Sequence, residues 1–126
     1  MITRQHHRIL VVEDDGLIRL DLIDTLEDMG FHVLDAANAD EAIRVLEGNA
    51  DIAAVLTDID MPGSINGLGL ANLVHERWPP LKVVVISGRY NPSEGVMPPG
   101  AKFVTKPVSE RSIQHVLHEV GISPLG

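Results

Sequence analysis

The sequence predicts an α/β fold, a doubly wound parallel sheet of five strands with helices on both faces. Two observations carry this. Short β-branched runs alternate with segments of helical period, which is the pattern of repeated strand–helix–strand units. The runs are also apolar throughout, as in Ile9-Leu10-Val11-Val12 and Val83-Val84-Val85-Ile86, so the sheet must be covered on both sides. At 126 residues and 44% hydrophobic content, the chain is expected to form one domain with a sizeable core and to have no room for a second. Residues 1–7 and 122–126 are expected to be loose termini.

The first strand runs from Arg8 to Val12, after which Leu17, Ile18, Leu22, Leu26 and Met29 recur near helical spacing until Gly30 ends the helix. A short second strand lies near His32 to Ala36. Asn38, with Glu41 three residues on, reads as a capping box that opens a helix through Glu47. The third strand, beginning at Ile52, runs into Asp58. A glycine-bounded loop over 63–67 leads to a helix that stops at Trp78, where Pro79-Pro80 removes two backbone donors. The fourth strand is Lys82 to Ile86 with Ser87 at its end, and the fifth is Lys102 to Thr105. Between them, residues 88–100 carry three prolines and three glycines, leaving room for only one or two helical turns. After Lys106-Pro107, Ser109 caps a last helix with Ile113, Val116, Leu117 and Val120 at i, i+3, i+4 and i+7.

Ten basic and eighteen acidic residues give a net charge of −8, which repels nucleic-acid phosphates and anionic lipid surfaces. Direct nucleic-acid and membrane binding are therefore not expected. The apolar stretch before Glu13 is too short for a signal-peptide core or a membrane span, so a cytoplasmic location is expected. The absence of cysteine excludes disulfides, thiolate zinc sites and cysteine nucleophiles.

Parallel strands bring their carboxyl ends to one edge of the sheet, where ligands of such folds bind. The residues gathered there are Glu13, Asp14, Asp58, Ser87 and Lys106. Three carboxylates in one cleft repel one another unless a cation neutralises them, and a hard divalent ion such as Mg2+ suits an all-oxygen site. Lys106 supplies a fixed charge and Ser87 a hydroxyl, both suited to the oxygens of a phosphoryl group. Asp58 is placed as the nucleophile of an aspartyl-phosphate site.

These motifs resemble the CheY-like receiver domains of two-component response regulators over Arg8 to about Val120. Ile9-Leu10-Val11-Val12-Glu13-Asp14-Asp15 is similar to the acidic pair after strand one, and Asp58-Ile59-Asp60-Met61-Pro62-Gly63 to the phosphoacceptor segment. Val85-Ile86-Ser87-Gly88 matches the switch hydroxyl and Thr105-Lys106-Pro107 the lysine. The resemblance implies the flavodoxin-like strand order 2-1-3-4-5 and a cis Lys106-Pro107 bond. It implies that Glu13, Asp14, Asp58 and the Asp60 backbone carbonyl hold Mg2+, that Asp58 accepts the phosphoryl group, and that Ser87 and Lys106 bind its oxygens. Phe103 falls at the switch aromatic. Asp60 and Arg89, each two residues past a site position, are candidates for control of phosphoryl lifetime. Two departures stand out: the 63–67 loop is one residue longer than usual, and the helix between strands four and five is expected to be shortened or irregular.

Each residue also has a plainer reading. Asp14 or Asp15 alone is a helix cap, Asp58 before Met-Pro-Gly a turn former, Ser87 a strand-end hydroxyl, Lys106 a solvated charge and Phe103 a core residue. Arg89 and Asp60 read equally well as an exposed ion pair. His115 and His118 lie three apart on a helix but lack a third metal ligand.

Asp58-Ile59-Asp60 also fits the D-x-D of haloacid dehalogenase-like phosphatases, yet that family opens on its D-x-D strand, whereas here Glu13-Asp14 come first. A receiver that only binds partners is a third reading, against which the complete acid, serine and lysine set argues. The expected function is a stand-alone response regulator, or a receiver fragment of a longer one, and not a turnover enzyme. It would be phosphorylated by a sensor histidine kinase or histidine phosphotransfer protein and would act through a downstream protein or onward phosphotransfer. A phosphorylation-dependent homodimer is compatible with this reading.

Overall fold

Successive residues of each strand point to opposite faces of the sheet, and in this chain both resulting apolar sets are covered. The computed structural model describes residues 8–60, 67–88 and 97–122. In chain order the described elements are β1 (Arg8–Val12), α1 (Gly16–Asp28), β2 (His32–Ala36), α2 (Ala39–Gly48), β3 (Ile52–Asp58), α3 (Gly67–Arg77), β4 (Lys82–Ser87), β5 (Lys102–Thr105) and α4 (Glu110–Glu119). All five strands are parallel in the order β2-β1-β3-β4-β5, as expected.

Leu10, Val12, Val55, Val83 and Val85 face α2 and α3, where they meet Ala42, Leu46, Leu70 and Val74. The alternate set, Ile9, Val11, Leu56, Val84, Ile86 and Val104, faces α1 and α4 and packs on Leu26, Ile113 and Leu117. Burying side chains of this size contributes roughly 1.5–3 kcal/mol each. Small residues at Ala39, Ala42 and Ala71 let α2 and α3 lie close to the sheet.

Local chemistry sets the helix ends. The Asp15 carboxylate accepts from the Leu17 and Ile18 amides, which makes Asp15 the α1 cap and leaves Asp14 to the cleft. Gly30, at φ 100°, takes a left-handed conformation just past the helix. Asn38 accepts from the Glu41 amide at 2.9 Å, but Glu41 reaches back to the Ala37 amide at 2.8 Å. The expected reciprocal box is therefore shifted one residue toward the N-terminus on its return bond. Ser109 and Ser112 form a reciprocal box at α4, with a serine in place of the usual acid or amide. The Lys106-Pro107 bond is cis, as the resemblance implied.

One feature of α1 departs from its sequence pattern. Of the five apolar residues at helical spacing only Leu22 and Leu26 are buried, while Leu17 is 82% and Ile18 43% exposed. Between β4 and β5 the described residues Gly88 and 97–101 contain no helix. Residues 89–96, hence Arg89 and most of the expected shortened helix, lie outside the described residues, as do 1–7, 123–126 and the 61–66 part of the longer loop. Ile122, expected in a loose terminus, is instead held: its amide donates to Leu117 O at 2.9 Å and its side chain packs against the core on the α1 and α4 side. Among the described residues no helix is long and apolar enough to cross a membrane.

Candidate functional site

The backbone ladder continues past the ends of the strands, and that continuation fixes the candidate residues. The Glu13 amide donates to Ala36 O, the Ile59 amide to Ile86 O and the Lys106 amide to Ser87 O, at 3.0–3.1 Å. Glu13, Asp58, Ser87 and Lys106 are thus held at one edge by the hydrogen bonds that build the sheet. Side-chain alternation then sorts them. Asp58 continues the Leu56 side, toward α1 and α4, and Ser87 continues the Val85 side, toward α2 and α3.

Asp58 is buried, and both of its oxygens are engaged. Lys106 Nζ donates to Oδ2 at 2.8 Å, and the Asp60 amide donates to Oδ1 at 2.7 Å. Two further acids face it. Glu13, Asp14 and Asp58 each present an oxygen within 4.8 Å of the others. Glu13 is buried, with Oε2 accepting from the Asp15 amide at 3.0 Å and Oε1 accepting from no described residue. Burial, reinforced by the facing Asp58 and Asp14 carboxyls and only partly opposed by the Asp15 amide, pushes the Glu13 carboxyl up to about 8.

An orphaned buried carboxylate oxygen beside two other acids fits a divalent cation, which would satisfy that oxygen and remove the repulsion. No other group of three potential metal ligands occurs among the described residues. His115 instead lies 3.6 Å from Glu119 one turn along α4.

Lys106 is held charged. Burial pushes its ammonium down, but Asp58, Glu13 and Asp60 together outweigh burial and raise it. Ser87, also buried, donates to the Asp60 carboxylate at 3.0 and 3.3 Å, and the Gly88 amide donates to Asp60 Oδ2 at 3.1 Å. Burial alone would raise the Asp60 carboxyl. The Gly88 amide, the Ser87 hydroxyl and Lys106 outweigh it and hold the group below the ordinary carboxylate range. Phe103, opposite Val85 in the β4–β5 register, is 37% exposed and is therefore not a core residue.

Two features escaped the sequence. Arg19 donates from Nη1 to Glu13 O at 2.8 Å and pairs through Nε with Asp35 at 3.0 Å, tying α1 and β2 to the acidic turn. A lone arginine on a helix gives no signal of this. A hollow of about 540 Å3 also opens beside the cleft, walled by Leu17, Ile18, Leu22, Ile86, Pro107 and Val108. The exposed leucine and isoleucine of α1 thus line a depression that reaches Glu13 and Lys106.

A family model described as the response regulator receiver domain matches residues 9–118. The response regulator receiver protein CpdR of Brucella abortus is 33% identical over 120 residues, covering 92% of this chain and 98% of that one. An NtrX-like response regulator of Rickettsia felis is 37% identical over 81 residues, 64% of this chain but 17% of that protein, so the chain matches only a small part of the longer relative. The crystal structure of a response regulator receiver domain protein from Clostridium thermocellum superposes with a TM-score of 0.81 at 26% identity, over 90% of this chain and 92% of that one.

Proposed function

Because this chain belongs to the response regulator receiver domain family, a signalling family of two-component systems, we propose that Asp58 is its phosphoacceptor. The carrying observation is the buried Asp58 carboxylate at the end of β3, with Lys106 Nζ at 2.8 Å and two further acids within 4.8 Å. Signalling in the family depends on phosphorylation, and the receiver domain is a signalling domain, which favours this reading over the phosphatase one. Residues 1–126 form one receiver domain in this reading.

A carboxylate oxygen of Asp58 attacks phosphorus as the bond from phosphorus to the donor's imidazole nitrogen breaks. The electron pair leaves with the imidazole, and an acyl phosphate remains on Asp58. Lys106 and the Asp60 amide fix the carboxylate before attack, so little reorganisation is needed. Lys106 also offsets charge on the phosphoryl oxygens, and the Ser87 hydroxyl takes one of them. Glu13, Asp14 and Asp58, with the Asp60 backbone carbonyl, would hold Mg2+, which supplies neutralisation of the charge gathered in the cleft.

The donor is a sensor histidine kinase or a histidine phosphotransfer protein, and the exposed Leu17 and Ile18 beside the cleft support an apolar helix contact for it. Engagement of Ser87 by the phosphoryl group shifts a population of surface states in which Phe103 takes part. Output passes to a downstream protein or by onward phosphotransfer, with homodimerisation one form of it, in a cytoplasmic setting. Incubation with Mg2+ and acetyl phosphate, followed by intact-mass measurement, tests the reading. One phosphoryl group is expected on the wild type and none on Asp58→Asn; equal labelling of both overturns it.

A further inference from the structure

Three donors converge on the Asp60 carboxylate. The Ser87 hydroxyl lies at 3.0 and 3.3 Å from its two oxygens, the Gly88 amide at 3.1 Å from Oδ2, and Lys106 Nζ at 3.6 Å from the same oxygen. A hydroxyl, a backbone amide and an ammonium arranged around two anionic oxygens form the donor set that a phosphoryl group on the neighbouring Asp58 would need. Lys106 is shared already, with Asp58 Oδ2 at 2.8 Å. The Asp60 backbone is fixed as well, since its amide donates to Asp58 Oδ1 at 2.7 Å, so only its side chain is free to move.

We infer that the Asp60 side chain is an internal occupant of the phosphoryl seat. Its carboxylate holds Ser87, Gly88 and Lys106 in the unphosphorylated protein and must leave them when a phosphoryl group arrives on Asp58. This rests on the reading of Asp58 as phosphoacceptor. The exposure of Asp60 suits the role: at 28% its side chain is sheltered enough to make these bonds, yet a χ rotation carries it into solvent. Ser87, wholly buried, has no such exit and stays to receive the next anion. Asp60 is therefore a positioning residue with two effects. It presets the hydroxyl and amide that later meet phosphate, and it competes with phosphate for them. The competition biases the protein toward its unphosphorylated surface state, because an arriving phosphoryl group must displace an anion already seated.

The test uses beryllium trifluoride, an anionic phosphoryl analogue, titrated into the 126-residue chain at fixed Mg2+ while backbone amide resonances are followed by NMR. In the ligand-free state, Asp60→Ala should move the Gly88 amide proton upfield of the wild type, since its carboxylate acceptor is gone. Half-saturation should then fall about tenfold, the scale of losing one or two competing charge-assisted hydrogen bonds. The two proteins should converge on one Gly88 shift when saturated, because the same donor meets the same ligand. Asp60→Asn removes the charge while keeping a seated oxygen, and should fall between them. Equal half-saturation in wild type and Asp60→Ala overturns the inference and leaves Asp58 untouched. An equal gain in the asparagine and alanine variants also overturns it, by assigning the effect to charge rather than occupancy. No response in any protein, Asp58→Asn included, overturns the phosphoacceptor reading and this inference with it.

Discussion

Two ion pairs of nearly equal length lie at opposite edges of the sheet. At the carboxyl edge Lys106 Nζ is 2.8 Å from Asp58 Oδ2, with the side chains 29% and 3% exposed. At the amino edge Arg77 Nη2 is 3.0 Å from Glu47 Oε2, with the side chains 44% and 50% exposed. The amino-edge pair joins the ends of α3 and α2 in solvent, and Arg8 at the start of β1 makes another exposed pair with Asp51 just before β3. The carboxyl-edge pair sits among further acids, one of which has a buried oxygen that no described residue satisfies. Burial, rather than distance, decides what each pair can do. Water screens the exposed pair and leaves it close to neutral in energy. The buried pair keeps its field, and with it both the capacity for chemistry and a standing cost.

The largest expected contrast is in pH dependence without Mg2+. Glu13 has its folded value pushed from 4.5 to about 8, so the folded state binds a proton that the unfolded state has released. Its contribution to stability is fully present below about pH 4.5 and is lost as pH rises through about 8, by at most roughly 5 kcal/mol. Urea unfolding in the presence of a chelator should therefore show a lower midpoint at pH 8 than at pH 5.5. Saturating Mg2+ should reduce the difference, because a cation replaces the proton. Glu13→Gln should remove it. An unchanged midpoint across this range in the wild-type protein would mean that the two edges do not differ in the way described.

The next effect comes from breaking the buried pair. Lys106→Ala leaves Asp58 and Asp60 without their shared cation. Labelling by acetyl phosphate should slow by about 10²–10³-fold, the usual cost of removing a preorganised charge from a transferring group. Retention of more than half the wild-type rate would show that Lys106 only neutralises the resting cleft.

The contrast between the edges was half legible in the sequence. The β-branched runs mark each strand's end, and parallel order does the rest, so Glu13, Asp14, Asp58, Ser87 and Lys106 can be gathered at one edge from the sequence alone. Periodicity could not show where a helix overhangs its sheet. Leu17 and Ile18 obey the α1 spacing, yet they lie in its first turns, beside the acidic turn, where they wall the hollow instead of the core. Nor could spacing show that the Asp60 side chain turns to Ser87, 27 residues away. Two residues past the nucleophile, it could equally have pointed to solvent, and only the three-dimensional placement of the Gly88 amide and Lys106 distinguishes the two. The exposed pair was invisible for a different reason, since Arg77 and Glu47 stand 30 residues apart with no pattern linking them.

The smallest effects belong to the amino edge and sharpen the comparison by their size. Glu47→Ala should change stability by no more than about 0.5 kcal/mol, since it removes only a screened attraction. Arg77→Ala should cost slightly more, about 1 kcal/mol, because its guanidinium carbon also lies 4.4 Å from the centroid of the Trp78 ring. The difference between the two variants isolates that stacking, and the Glu47→Ala/Arg77→Ala double variant should match Arg77→Ala alone. Both single variants should be labelled by acetyl phosphate at the wild-type rate. A loss of labelling in Glu47→Ala would connect the two edges through α2 and the sheet, and would refute the view that a solvent-screened pair is inert however short it is.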